Sequence, residues 1–206
     1  MSESFPRGID VSNNNGIFNW ADWKRRIQFA SAKATEGLTF RDEQFPRNWE
    51  YMHRYGLYRF AYHYGHPNLD PGDQARFFTD YVKVAGMYAH DNFVLDLEET
   101  GGMKPVDVSF WAWTFCTEMN RLNPGHRILV YTYPDFAEQG NCAKLGGWGL
   151  WIANYEVPDP HVPAPWRFWR FWQNTGTGLD QDVFNGSLKD METFCTTAGK
   201  ISPPAD

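Results

Sequence analysis

Hydrophobic and polar positions recur with two different periods along the chain. From Asn92 to Thr100 (NFVLDLEET) the period is two, which puts Val94, Asp96 and Glu98 on one face of an extended strand and Phe93, Leu95 and Leu97 on the other. Two carboxylates therefore share a strand face, with α-carbons roughly 6 to 7 Å apart at a rise of ~3.3 Å per residue. The opposite face is wholly apolar, as in a strand covered on both sides, so its acids line a cavity. Other short apolar segments bounded by turn residues are Gly8–Ser12 (GIDVS), Gln28–Ala34, Tyr58–Tyr64, Ile128–Tyr133, Leu150–Tyr155, Phe168–Gln173 and Leu179–Phe184.

Between the first six of these the spacing turns helical. Asn19 caps a helix through Trp20, Trp23 and Ile27, and Phe45, Trp49, Met52 and Tyr55 mark a second that stops at Gly56. Pro71 opens a third, whose apolar face is Phe77, Phe78, Tyr81, Val82 and Ala85. Val106–Leu122 is the longest run, with Phe110, Trp113, Cys116 or Thr117, and Met119 expected inward; Asp135–Leu145 is a weaker fifth helix. Then the rhythm changes. Glu156 to Trp166 is Pro-rich without helical period, the last two strands are joined only by Asn174 to Gly178, and Ser187 opens a short final helix with Asp190 in capping position. Eight strands with helices after only the first five predict an α/β fold with a parallel sheet: a TIM-like barrel, (β/α)5(β)3, whose last three connections have lost their helices. No repeat and no long linker divides the chain, so a single catalytic domain over 1–196 with a short tail at 197–206 is expected.

Composition narrows the function classes. The 10 Trp, 10 Tyr and 16 Phe make the chain 17% aromatic, and flat rings with polar tips suit a groove that packs against sugar faces. A net charge of −6 with scattered Lys and Arg excludes nucleic acid as the expected partner. No apolar run approaches the ~20 residues that span a bilayer, so no membrane insertion is expected. The segment MSESFPRGID lacks a basic and an apolar export region, so synthesis in the cytoplasm without a signal peptide is expected. Cys116, Cys142 and Cys195 fit no metal or redox spacing and are expected to be reduced core thiols. The His residues show no ligand spacing, so neither metal nor cofactor is implied.

In a barrel of this class chemistry gathers at the C-terminal ends of the strands. Asp10, Lys33 or Glu36, Tyr62 and His63, Asp96 and Glu98, Tyr131 and Tyr133, Trp151 and Tyr155, Trp172 and Gln173, and Asp180 all lie late in their strands. Acids and rings converging on one rim are the furniture of a glycosidase groove, where a protonated acid serves the leaving oxygen and a carboxylate supports the oxocarbenium-like transition state. Mutual repulsion raises the pKa of one of two close carboxylates. Glu98, longer and nearer the open cleft, is assigned as the acid. Asp96 is expected to stay ionised, as nucleophile or as orienter of an acetamido group. Structural roles compete at several positions: Asp10 as a cap of the turn through Asn13 to Gly16, His63 as a hydrogen-bonded barrel residue, Lys33 as partner of a rim acid, Trp172 and Tyr155 as core.

Seven segments in order, GIDVSNNNG at Gly8, SAKATEG at Ser31, GLYRFAYHY at Gly56, FVLDLEE at Phe93, LWIANY at Leu150, FWQNTGTG at Phe171 and LDQDVFNG at Leu179, carry a resemblance to the glycoside hydrolase family 25 lysozymes, the Chalaropsis-type muramidases common among phage endolysins. The resemblance implies cleavage of the β-1,4 bond between N-acetylmuramic acid and N-acetylglucosamine in peptidoglycan, on an irregular barrel of eight strands and about five helices. It places the acid/base on Glu98, its partner on Asp96, and two further active-site acids on Asp10 and Asp180. The chain departs from the family pattern at Asn15, Asn174 and Asp182, where Gln, Tyr and Asn are common, and Asp180 and Asp182 share a strand face. A monomer acting on the glycan strand of the cell wall, and released through a separate holin-type pore, is the expected state. Two rival readings are a family 18-like chitinase, whose D-x-D-x-E strand would need its first Asp where Val94 stands, and a catalytically silent glycan-binding barrel.

Overall fold

The computed structural model describes residues 5–197. Nine strands run in the order β1 (Arg7–Val11), β2 (Phe29–Glu36), β3 (Phe40–Arg41), β4 (Tyr58–Tyr64), β5 (Asn92–Asp96), β6 (Ile128–Thr132), β7 (Gly149–Ala153), β8 (Phe171–Thr175) and β9 (Gln181–Phe184). Eight of them close a barrel, because β1 pairs with both β2 and β9, and the two-residue β3 only extends β2 at its edge. The sheet is parallel from β1 through β2 and β4 to β8, whereas β9 runs antiparallel to both β8 and β1. The all-parallel expectation fails there because Gly176 to Asp180 is too short for a crossover and permits only a hairpin.

The helices are α1 (Trp20–Trp23), α2 (Phe45–Arg54), α3 (Pro71–Val84), α4 (Pro105–Leu122), α5 (Pro134–Phe136) and α6 (Leu188–Thr196). The fifth is shorter than its apolar spacing predicts: α5 passes into a π-turn over Ala137–Asn141, in which Gly140 takes φ 91° and ends the helical path. The first also stops early, in a turn closed by Arg26 N–H on the Trp23 carbonyl. In α4 the expectation that Phe110 and Trp113 point inward is overturned. Both are exposed, while Trp111 and Phe115 are buried. The helix is apolar on both faces, and its rotation is set by Trp111 Nε1 donating to the Leu69 carbonyl at 2.6 Å and by Phe115 stacking on His63. The tail expected at 197–206 lies, beyond Thr197, outside the described residues.

Strand alternation builds two cores. Outward residues such as Ala30, Ala32, Phe93, Leu95 and Val130 pack under α2, α3 and α4, and the small alanines let the helix layer approach β2 closely. Inward residues Phe29, Phe60, Val94, Leu129, Trp151, Phe171 and Phe184 fill the lower barrel, closed from below by Met191 and Cys195 of α6. The rings interlock: Phe171 lies 4.5 Å from Trp151, 4.9 Å from Phe29 and 5.0 Å from Phe60. This plug admits nothing at position 8 but glycine, since an added Cβ there would sit 2.2 Å from the Phe29 ring. The interior above the plug is therefore a floored cup open only at the strands' C-terminal ends. Cys116, Cys142 and Cys195 are free and buried, as expected of core thiols.

Candidate active site

Asp10, Tyr62, Asp96, Glu98, Tyr131, Trp151, Tyr155, Gln173 and Asp180 line the cup together with Ser31 and Val94, around a cavity of about 260 Å³. Nine of the twelve predicted site residues thus meet at one place. Glu98, just past β5, and Tyr155, just past β7, also border a neighbouring cavity of about 460 Å³ formed with Tyr133, Pro134, Asp135, Ala153, Asn154 and His161. Glu98 stands at the junction of the two.

The floor and one wall are a hydrogen-bonded frame. Gln173 Nε2 donates to Asp10 Oδ2 at 2.6 Å, and its Oε1 accepts from the hydroxyls of Tyr131, at 2.8 Å, and Tyr155. An amide is suited to this position because it accepts on one atom and donates on the other. Burial first, then the Asp96 and Glu98 charges, push the Tyr131 hydroxyl far up, so it stays a donor. Asp10 does not cap the following turn. That task falls to Ser12 and Asn15, which form a capping box over Asn13–Asn15, while Asp42 accepts from Asn13 N–H at 2.7 Å. Free of it, Asp10 is pushed up to about 7, by burial and then by the Asp180 charge.

Asp96 and Glu98 lie side by side and act on each other's proton affinity. Both are raised above their ordinary values, in each case chiefly by burial, and Asp96 is further raised by the charge of Glu98. Asp96 is the deeper, 8% exposed, with its Oδ1 facing no donor. Asp96, the deeper of the two, is raised further than Glu98 in the free site. Lys33 lies close enough to draw both acids down.

Lys33 itself does not line the cup. Its Nζ pairs with Glu36 at 2.6 Å, and Glu36 also meets His66 at 3.1 Å, whose other ring nitrogen lies 2.7 Å from Glu99. That chain ties the end of β2 to the segment after β5 that carries Glu98. Trp172 is absent from the cup as well: period two turns it away from Gln173, its Nε1 donates to the Asn154 carbonyl at 2.8 Å, and it packs against Trp169 outside the barrel. Tyr133 borders the second cavity only. His63 sits outside too, buried between Thr35 and Gln74 and stacked by Phe78 and Phe115, and burial lowers it to about 4. Of the two acids near β9, Asp180 borders the cup, while Asp182 is buried beneath, accepting from Trp151 Nε1 at 2.8 Å.

Val94 lines the cup on the face it shares with Asp96 and Glu98, and Ser31, which was not singled out, follows from alternation with Lys33. His161 comes from the Pro-rich segment without period, and Asn154 and Asp135, though in predicted elements, were not singled out for the site. Among the described residues no cluster of His, Cys, Asp or Glu is arranged to hold a metal ion. What the site offers is proton transfer between close acids and negative charge from Asp10 and Asp180, over a cup of sugar size.

The family model for glycosyl hydrolases family 25 matches residues 9–183. Lysozyme M1 of Streptomyces globisporus is 30% identical over 88% of this chain and 68% of its own length. The crystal structure of the bacterial lysozyme from Streptomyces coelicolor superposes with a TM-score of 0.83 at 27% identity, covering 94% of this chain and 98% of that one. A family 25 lysozyme from Aspergillus fumigatus does so with 0.84 at 26%, covering 94% and 100%. With the family model matched over residues 9–183, the chain belongs to the glycosyl hydrolases of family 25.

Proposed function

We propose that the chain is a muramidase that hydrolyses the β-1,4 bond between N-acetylmuramic acid and N-acetylglucosamine in peptidoglycan. The observation that carries this reading is the Asp96–Glu98 pair in the cup, with Glu98 at the junction of two cavities. A sugar in the cup and a second in the outer cavity put the bond between them beside Glu98. Covering Glu98 removes its remaining solvent and raises its affinity for a proton. The unpartnered Oδ1 of Asp96 accepts the acetamido N–H, which favours the ionised form of Asp96 and passes the proton to Glu98. Glu98 then protonates the leaving oxygen, and Asp10 and Asp180 face the positive charge that develops on the ring.

Asp96 acts here as an orienter, and the acetamido oxygen attacks the anomeric carbon. A protein nucleophile on the opposite side of the sugar needs carboxyl groups about 5 to 5.5 Å apart with the ring between them, whereas Asp96 and Glu98 project side by side from one strand face. Walls in suspension should clear with the parent chain, and Glu98→Gln should slow the clearing by about 10²- to 10⁴-fold. Equal rates for the two would refute the role of Glu98; cleavage of chitin oligomers with peptidoglycan spared would favour the chitinase reading.

We extend the reading to host lysis by an endolysin. Among the described residues no helix is long and apolar enough to cross a membrane; in this extension the chain passes to the wall through a separate holin-type pore. Cells that make only this chain should keep growing until their membrane is permeabilised, and lysis without permeabilisation would overturn the extension.

A further inference from the structure

Beneath the cup a second pair of acids meets. Gly8 of β1 pairs with Asp182 of β9, and Asp10 lies two residues further along the same face of β1. Diagonal neighbours of this kind have α-carbons about 7 to 8 Å apart, within reach of two carboxyl side chains. Each carboxyl acts on the proton affinity of the other, as close neighbours do, and Asp182 favours the ionised form of Asp10. Asp182 is 1% exposed, its Oδ1 takes the Trp151 indole N–H, and its Oδ2 meets no donor among the described groups.

Two ionised carboxylates cannot share a buried contact, so one proton belongs to the pair. Donor supply decides its place. Asp10 Oδ2 already accepts from Gln173, whereas an ionised Asp182 would leave a charged Oδ2 buried and unsatisfied, which is costly. Building on the muramidase reading, we propose that Asp182 is a positioning residue: its carboxyl keeps its proton, donates it as a hydrogen bond to Asp10, and so holds Asp10 ionised and aimed at the cup.

Directions of proton affinity agree with this arrangement. Asp182 is raised well above the carboxylate range, first by burial and then by the Asp10 charge, and its hydrogen bond lowers Asp10. The other titratable groups facing the pair are Asp180, Glu98, Asp96, Tyr62, Tyr131 and Tyr155, of which the acids disfavour a second negative charge. Asp10, Asp180 and Glu98 therefore act on a partner that stays neutral.

The test has two parts. Asp182→Leu removes the donor and should lower kcat/KM about 10- to 100-fold, with the acid limb of its pH profile moved upward. Asp182→Asn, which keeps a donor toward Asp10 and an acceptor toward Trp151, should recover most of that loss. An Asn variant as impaired as the Leu variant would overturn the proposal. Carboxyl NMR of the ¹³C-aspartate-labelled parent chain needs no activity and no folded Leu variant: the spectrum should contain a buried aspartic acid that stays protonated through neutral pH and vanishes in Asp182→Asn, while that of Asp96 persists. Loss of no such signal would also overturn it. An inactive chain that shows the signal would refute the muramidase reading and leave the proton on Asp182.

Discussion

Gln173→Leu separates the frame of the cup from its acids. The side chains are of similar size, so the change deletes three hydrogen bonds without opening a large void: the 2.6 Å donation to Asp10, the 2.8 Å acceptance from Tyr131, and the acceptance from Tyr155. A hydrogen bond to a charged group contributes about 1.5 to 3 kcal/mol, and one pH unit corresponds to about 1.4 kcal/mol. Gln173 is among the groups that pull Asp10 down, against burial and the neighbouring charges that push it up to about 7. Its loss should raise Asp10 by roughly one to two units. If the reaction needs Asp10 ionised, the acid limb of kcat/KM must rise by the same amount. The assay is initial rate on soluble glycan-strand fragments from about pH 4 to pH 9, parent against variant, with circular dichroism to confirm folding. A uniformly lower rate with an unmoved acid limb would refute the reasoning, because Gln173 would then serve as structure alone.

Asp10→Asn should lower activity yet stabilise the fold above neutral pH. Asp10 rises from an ordinary 3.8 to about 7 on folding, so the folded state binds the extra proton between those values and loses stability as pH climbs through them. The Asn variant should melt at least ~2 to 4 °C above the parent at about pH 8, for each kcal/mol of relief, and show no gain near pH 4; equal melting at both would count against the buried ionised Asp10. Trp172→Phe removes the bond to the Asn154 carbonyl outside the barrel. It should cost about 1 kcal/mol in chemical denaturation and leave KM for glycan fragments unchanged, whereas a large rise in KM would return Trp172 to the groove.

Strand alternation carried the reading of the site a long way. Asp96 and Glu98 are legible as a pair in NFVLDLEET because apolar neighbours on the other face fix which side is buried. The same rule, applied at Phe171–Gln173, separates Trp172 from Gln173, and late position in a strand alone does not. Asp10 was ambiguous because Asn13 to Gly16 invites a cap, and only the tertiary contact to Gln173, far along the chain, resolves it. The outer cavity was illegible, since His161 lies in a Pro-rich segment that has no period to read and meets Asn154 and Asp135 only in the fold. Phe110 and Trp113 misled for a related reason: a helix apolar on two faces does not say which one meets the barrel.

The most direct test of the central claim is mass spectrometry of fragments released from peptidoglycan of defined structure. A muramidase leaves N-acetylmuramic acid at the new reducing end, and every soluble fragment should carry it. Fragments ending in reducing N-acetylglucosamine, or release of peptides with the glycan strand intact, would contradict the account.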